Sequence, residues 1–215
     1  MSDVYADGER VYAQAGALLS KTAAVACEAS LTGMEFASGI PGTLGGALRM
    51  NAGAYGGEMK QIVESAEVLT SEGEVLNLTN EELGMGYRTS VIAKNDYVAL
   101  SAVLKLEKGD RQEIRAYMED LKERRVTKQP LEFGSAGSTF KRPEGYFAGK
   151  LIQDSGMQGY RVGDAQVSEK HCGFVINRGN ATAAEVMQLM KDVADRVEEK
   201  FGVRLEPEVR RIGEF

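Results

Sequence analysis

The sequence predicts an α+β fold arranged in two units. Alternating apolar segments at Arg10–Ala15, Ile62–Leu69, Glu74–Leu78 and Val98–Leu106 gather in the first half, as half-buried strands do. Two long stretches with helical apolar spacing, Asp110–Thr127 and Ala181–Phe201, dominate the second half. Segregated strands and helices of this kind indicate α+β and not a repeating βαβ pattern. The unit boundary is expected near Gly109, giving units 1–109 and 110–215.

The elements are justified in chain order. Arg10–Ala15 reads as a short strand, and Leu18–Ser30 as a helix whose small apolar residues suit close packing on a sheet. Leu31–Gly57 is dense in glycine but too ordered in pattern for a linker. Ser71-Glu72-Gly73 turns the chain between two alternating strands. Glu81–Leu83 begins a short helical turn that leads into GMGYR at Gly84–Arg88. In Asp110–Thr127 the apolar stripe is Ile114, Tyr117, Met118 and Leu121, and Gln129-Pro130 ends the helix. Gly134–Pro143 is a compact motif, Tyr146–Ser155 is helical, and Gln166–Val167 and Cys172–Asn177 are short strands. Val186, Leu189, Met190, Val193 and Val197 form one face of the last helix, with Asn180 or Thr182 as its cap. A strand over Arg204–Ile212 closes the chain.

Composition excludes several classes. The 215 residues are 43% hydrophobic and 27% charged, which is ordinary for a globular chain. The net charge of −6 and the absence of a long basic run argue against nucleic acid as a partner. Two distant cysteines and one histidine, without a CxxC or Cys/His cluster, argue against a metal site. The acidic start lacks an apolar core of the signal-peptide kind, and no run reaches the ~18 apolar residues of a membrane span. A cytoplasmic protein is expected, with no membrane partner and a monomer favoured.

Five places could carry chemistry, and each also has a plain structural account. GIPGTLGGA at Gly39–Ala47 frees the backbone to approach a planar or anionic ligand, or simply to turn and pack a helix. GAYGG at Gly53–Gly57 could present Tyr55 to a ligand, or form a surface turn. In GMGYR, Arg88 could take a carboxylate in a bidentate pair, or lie solvated. Ser138 could serve as nucleophile or proton donor, although Thr139 and Phe140 follow it, so no GxSxG elbow exists. Strand alternation would put Glu206 and Glu208 on one face.

Taken together and in order, GIPGTLGGA, MNAGAYGGE, GYRTS, AGSTFKRP, AGKLIQDSGMQGYRVGDAQVSEKH and LEPEVRRIGE resemble the UDP-N-acetylenolpyruvoylglucosamine reductase family. The likeness covers essentially the whole chain and fits the branch that lacks an extra tyrosine-bearing substrate loop. It implies the second subdomain of an FAD-binding domain of the PCMH/vanillyl-alcohol-oxidase type, followed by a C-terminal α/β substrate domain. It also implies a cytoplasmic flavin oxidoreductase of peptidoglycan precursor synthesis, with FAD and NADPH as cofactors and a UDP-sugar as substrate.

The resemblance assigns roles by position. Ser138 is implied as the proton donor, and Arg88 and Glu208 as the groups that polarise the substrate carboxylate. Gly39, Ile40, Pro41, Gly42, Thr43, Gly45, Gly46 and Ala47, with Asn51, Gly53 and Ala54, are implied to line the flavin. Tyr55, Tyr87, Lys128, Arg142 and His171 are implied to face the substrate, Lys128 and Arg142 through phosphate groups. The resemblance further implies that the family's glycine-rich FAD pyrophosphate loop lies upstream of residue 1, leaving an apolar face exposed. Two alternatives stay open: a non-catalytic fragment that binds UDP-sugar but not FAD, and an oxidoreductase of the same flavin fold with another substrate.

Overall fold

Alternating burial along the strands builds the first sheet. The computed structural model describes residues 1–213 and divides the chain into two compact units, Met1–Arg125 and Val126–Phe215. In the first, β1 (Val4–Asp7) and β2 (Arg10–Gln14) precede α1 (Leu19–Glu28) and the short β3 (Leu31–Thr32). Next come α2 (Leu44–Met50), the small hairpin β4 (Gly53–Ala54) and β5 (Gly57–Glu58), β6 (Val63–Leu69) and β7 (Val75–Thr79). The unit continues through α3 (Val91–Lys94), β8 (Val98–Lys105), β9 (Glu107–Lys108) and most of α4 (Arg111–Lys128).

The main sheet is antiparallel, in the order β1-β2-β8-β6-β7. Val11, Ala13, Ala66, Val68, Ala102 and Leu104 point from it into one core, and the alanines of α1 and α2 (Ala23, Ala26, Ala47) pack against them. Such small helix residues let the backbones approach closely, as the sequence indicated. On the opposite face Tyr5 stacks on Tyr12 at 4.9 Å, and Ser101 donates to Glu67 at 2.6 Å. One polar and one apolar face is the usual state of such a sheet.

Two expectations change here. Strand β1 is absent from the sequence reading, yet it pairs along the whole of Val4–Asp7 with β2. The unit boundary falls at Arg125 rather than Gly109, because α4 packs on the first unit. Ile114 and Leu121 are buried, Met118 joins the first core, and Arg111 and Arg115 both pair with Glu28 of α1.

In the second unit, β10 (Gly134–Ser138), α5 (Ala148–Asp154), β11 (Arg161–Val162), β12 (Ala165–Val167) and β13 (Phe174–Asn177) lead to α6 (Ala183–Phe201). The sheet runs β10-β13-β12-β11, again antiparallel. Leu189, Met190, Val193 and Val197 of α6 fill the second core together with Leu151, Ile152, Ala165 and Val167. Thr182 caps α6 in a reciprocal box with Glu185, and Gly202 stops it at φ 67°.

The expected strand at Arg204–Ile212 does not form among the described residues. The chain makes a single bridge, Phe140 to Pro207, flanked by Lys141 N→Glu206 O and Glu208 N→Thr139 O, both 2.8 Å.

Leu104 is fully buried, so Leu104→Ala should cost about 2–5 kcal/mol in urea denaturation. Thr182→Ala should cost only ~1 kcal/mol. The reverse ranking would show that the first core is not the main source of stability.

Candidate functional site

In the first unit the glycine-rich segment opens with Gly39 and ends in α2, which Thr43 caps by accepting from Gly46 N at 3.5 Å. Leu44 N and Gly45 N donate to Ala17 O and Ala15 O, each at 2.8 Å, fastening α2 to the turn after β2. Gly45 is required for that contact: a Cβ would sit 3.0 Å from the Ala15 Cβ. Gly42 has φ +142°, a backbone state that side chains rarely adopt, with open space around it. Gly42 and Gly46 therefore leave bare backbone at the surface.

Asn51 organises the hairpin and the turn beyond α2. It ends the helix in the left-handed conformation and is almost completely buried. Its Oδ1 accepts from Lys60 N at 2.8 Å, and its Nδ2 donates to Glu58 Oε2 at 3.0 Å and Gly86 O at 3.2 Å. One side chain thus ties the β4–β5 hairpin to the GYR turn. At the hairpin tip Tyr55 (φ 54°) and Gly56 (φ 90°) turn the chain, and the Tyr55 ring is exposed. The GYR turn is closed by Gly86 N→Thr89 O at 3.0 Å and Thr89 N→Gly86 O at 3.2 Å. Tyr87 and Arg88 lie between, with Arg88 at φ 55° and its guanidinium 5.3 Å from the Tyr87 ring centroid. Arg125, from the last turn of α4, lies 5.7 Å from the Tyr55 ring centroid.

In the second unit, Ser138 ends β10 opposite Phe174, just after a bulge containing Gly137 at φ 83°. It is exposed, while Thr139 beside it is buried. Thr139 acts as a clamp: its N donates to Gly173 O at 2.8 Å, its Oγ1 accepts from Val175 N at 2.9 Å, and its O accepts from Glu208 N at 2.8 Å. Glu208 is thereby held next to the serine strand and is half-buried. Glu206, expected on the same face, instead pairs with Lys141.

His171 packs edge-on to Phe174, ring centroids 5.0 Å apart, and its Nδ1 accepts from Gly173 N at 3.1 Å. Desolvation holds its imidazole below the usual histidine value. Arg142 donates from Nε to Tyr146 O at 3.2 Å and lies 4.1 Å above the Phe147 ring. Lys128 is exposed at the end of α4. Cys27 and Cys172 are buried free thiols, and burial pushes the Cys172 thiol up, away from reactivity at neutral pH. Among the described residues no group of three or more His, Cys, Asp or Glu could hold a metal ion.

Known proteins share this geometry and this sequence. Residues 1–79 match the model of an FAD binding domain, and residues 129–212 match UDP-N-acetylenolpyruvoylglucosamine reductase, C-terminal domain. The UDP-N-acetylenolpyruvoylglucosamine reductase of Alkaliphilus oremlandii is 61% identical over 213 residues, 99% of this chain and 70% of that protein. The protein of that name in Agathobacter rectalis is 60% identical over 205 residues, 95% of this chain and 65% of that protein. This chain belongs to the UDP-N-acetylenolpyruvoylglucosamine reductase family. A crystal structure of the reductase from Thermus caldophilus superposes with a TM-score of 0.80 at 38% identity, covering 92% of this chain and 71% of that one. The chain spans about two thirds of the length of these curated relatives.

The family is one of flavin-dependent oxidoreductases, and the first unit's residues fit a flavin. Bare backbone at Gly42 and Gly46 gives a planar ring a surface without side-chain collision, and the Arg125 side chain lies beside Gly39. Within the first unit the structure joins Asn51, Tyr55, Tyr87 and Arg88 through the Asn51 amide. In the second it joins Ser138, Glu208 and His171 around Thr139 and Phe174. Asn51 itself underpins the surface, since its side-chain bonds are all internal. Thr139, Phe147 and Arg125 carry no sequence signal of their own; only their tertiary neighbours reveal them.

The His171 ring should titrate below an unperturbed histidine in an NMR pH series. Because its folded value is lowered, the unfolded chain binds the proton first. The associated stability is complete above the usual imidazole range and declines as pH falls from there towards the folded value. His171→Gln should flatten that slope, and a wild-type midpoint at or above the usual value would contradict the desolvation.

Proposed function

We propose that this chain carries the NADPH- and FAD-dependent reduction of UDP-N-acetylglucosamine enolpyruvate to UDP-N-acetylmuramate, a cytoplasmic step of peptidoglycan precursor synthesis that supplies the wall for cell shape and division. The observation that carries the reading is the Glu208 N→Thr139 O bond, which holds a glutamate beside the strand that presents Ser138. Family membership supports the reaction class. No helix among the described residues is long and apolar enough to cross a membrane.

FAD, when bound, supplies hydride taken from NADPH to the terminal vinyl carbon of the substrate. The adjacent carbon, next to the carboxylate, then needs one proton to complete the lactyl ether. Ser138 Oγ–H gives it: a hydroxyl is a feeble acid in water but an adequate donor to a strongly basic enolate. Arg88 stabilises the charge that develops on the substrate carboxylate, and a tight turn that fixes its backbone keeps reorganisation small. Glu208 polarises the same carboxylate by donating a hydrogen bond from its protonated form. Lys128 and Arg142 hold the diphosphate, and Tyr55, Tyr87 and His171 shape the substrate pocket. Gly39–Ala47 with Asn51, Gly53 and Ala54 forms the flavin-bearing backbone.

FAD titration of the purified chain followed by stopped-flow absorbance tests the assignment. Ser138→Ala should leave flavin reduction by NADPH unchanged and slow reoxidation by the enolpyruvyl substrate on the order of 10²–10⁴-fold. Reoxidation at the wild-type rate would remove Ser138 as donor. A wild-type chain that took up no FAD would refute the flavin role of Gly39–Ala47 in this polypeptide.

A further inference from the structure

The last turn of α4 is held by an ammonium from a loop far along the chain. The final carbonyls of a helix have no partner within it. In α4 one of them, Val126 O, accepts from Lys170 Nζ at 2.9 Å. The same Nζ lies 3.8 Å from Glu132 Oε2, on the far side of the buried Pro130. Lys128 falls between these two contacts, and its own side chain is exposed. A cation at this end also meets the negative pole of the helix dipole. Within the segment, Leu131 N→Gln129 O at 2.9 Å and Phe133 N→Pro130 O at 3.2 Å shape the turn but bond nothing outside it.

Lys170 reaches this place from a fixed base. Ser168 is buried, and its Oγ accepts from Lys170 N and His171 N, each at 3.2 Å. Ser168 N donates to Phe174 O at 2.9 Å, and Gln158 Nε2 donates to Glu169 O at 2.7 Å. The backbone that carries Lys170 is thus tied to β13 and to the segment after α5.

We propose that Lys170 is a positioning residue: it pins residues 126–132 from both sides and so aims Lys128 at the diphosphate of a uridine nucleotide. This rests on the reading of Lys128 as a diphosphate ligand. Binding must order both the Lys128 side chain and the backbone beneath it, and the entropy of that ordering is lost from the affinity. A helix end already fixed by Lys170 leaves the side chain alone to be ordered. The Lys170 ammonium is committed to a carbonyl and a carboxylate, so it acts through Lys128 and not on the ligand.

The experiment titrates uridine diphosphate calorimetrically into the full chain, which needs no flavin. Wild type is compared with Lys128→Ala, Lys170→Met, the double variant and Lys170→Arg. Lys128→Ala should weaken binding on the order of 10-fold, as loss of a charge-assisted contact does. Lys170→Met keeps the stem and removes the donor; it should weaken binding about 4-fold in the wild-type background and less than about 2-fold beside Lys128→Ala, since residues acting as one unit are not additive. Lys170→Arg should recover most of the affinity, because a guanidinium can serve the same carbonyl and carboxylate. Glu132→Gln, which leaves Lys170 in place, should show a smaller loss with the same dependence on Lys128. Equal losses from Lys170→Met in both backgrounds would mean that the residue touches the ligand or merely loosens the fold, and would overturn the proposal. Unchanged affinity in Lys170→Met, or no recovery with arginine, would overturn it too. Wild-type affinity in Lys128→Ala would instead remove the diphosphate role of Lys128 on which the proposal rests, and that single variant shows it.

Discussion

The buried amide of Asn51 is the interaction on which the first unit's surface depends. Burying a primary amide without partners costs on the order of 2–7 kcal/mol, so its placement is tolerable only because both ends are used. Those partners come from three segments: Lys60 after the small hairpin, Glu58 within it and Gly86 at the GYR turn. The left-handed backbone at Asn51, which asparagine adopts more readily than most residues, aims the amide at all three. Hairpin and turn are therefore positioned by one side chain. Tyr55, Tyr87 and Arg88 inherit their places from it.

Thr139 has the same place in the second unit. Its amide, carbonyl and hydroxyl each bond a different part of the fold: Gly173, Glu208 and Val175. A buried, fully bonded threonine beside an exposed serine fixes the backbone that carries Ser138 from one residue away. The C-terminal segment pairs with this strand at a single point, Phe140 to Pro207. The Glu208 backbone is consequently set by one bridge made of two hydrogen bonds, not by a long ladder.

Much of this was legible in the sequence where periodicity is strong. The hairpin at Ser71–Gly73, the stripe of α6 and its Thr182 cap all follow from spacing and local chemistry, which act over a few residues. Strand β10 was hidden because Gly-Ser-Ala-Gly-Ser has no β-branched or aromatic residue; its pairing with β13 forms it. Alternation in LEPEVRRI has the pattern of a strand whether or not a neighbour exists to pair with it, and here the pairing is one bridge long. The stripe of α4 told that the helix is packed but not against which core, hence the displaced boundary. Asn51 stands out by its motif, yet its buried amide, like the reach of Arg125 to Gly39, belongs to tertiary structure alone.

Backbone strain narrows the site further, provided it is combined with other facts. Among the described residues, five other than glycine have positive φ: Ser30, Asn51, Tyr55, Arg88 and Asp96. Each costs roughly 1–2 kcal/mol relative to a right-handed conformation. Ser30 follows α1, where a left-handed residue simply ends a helix, and Asp96 is paired with Arg49, so strain alone does not mark function. Tyr55 and Arg88 differ. Their strain falls on large side chains at the tips of turns closed by paired backbone bonds, and both turns are anchored to Asn51. A tyrosine or arginine kept in such a conformation where glycine would fold more easily implies that the side chain itself is needed there. The inference runs from the observed outliers to function, and it selects the two residues that present an aromatic ring and a positive charge at the first unit's surface.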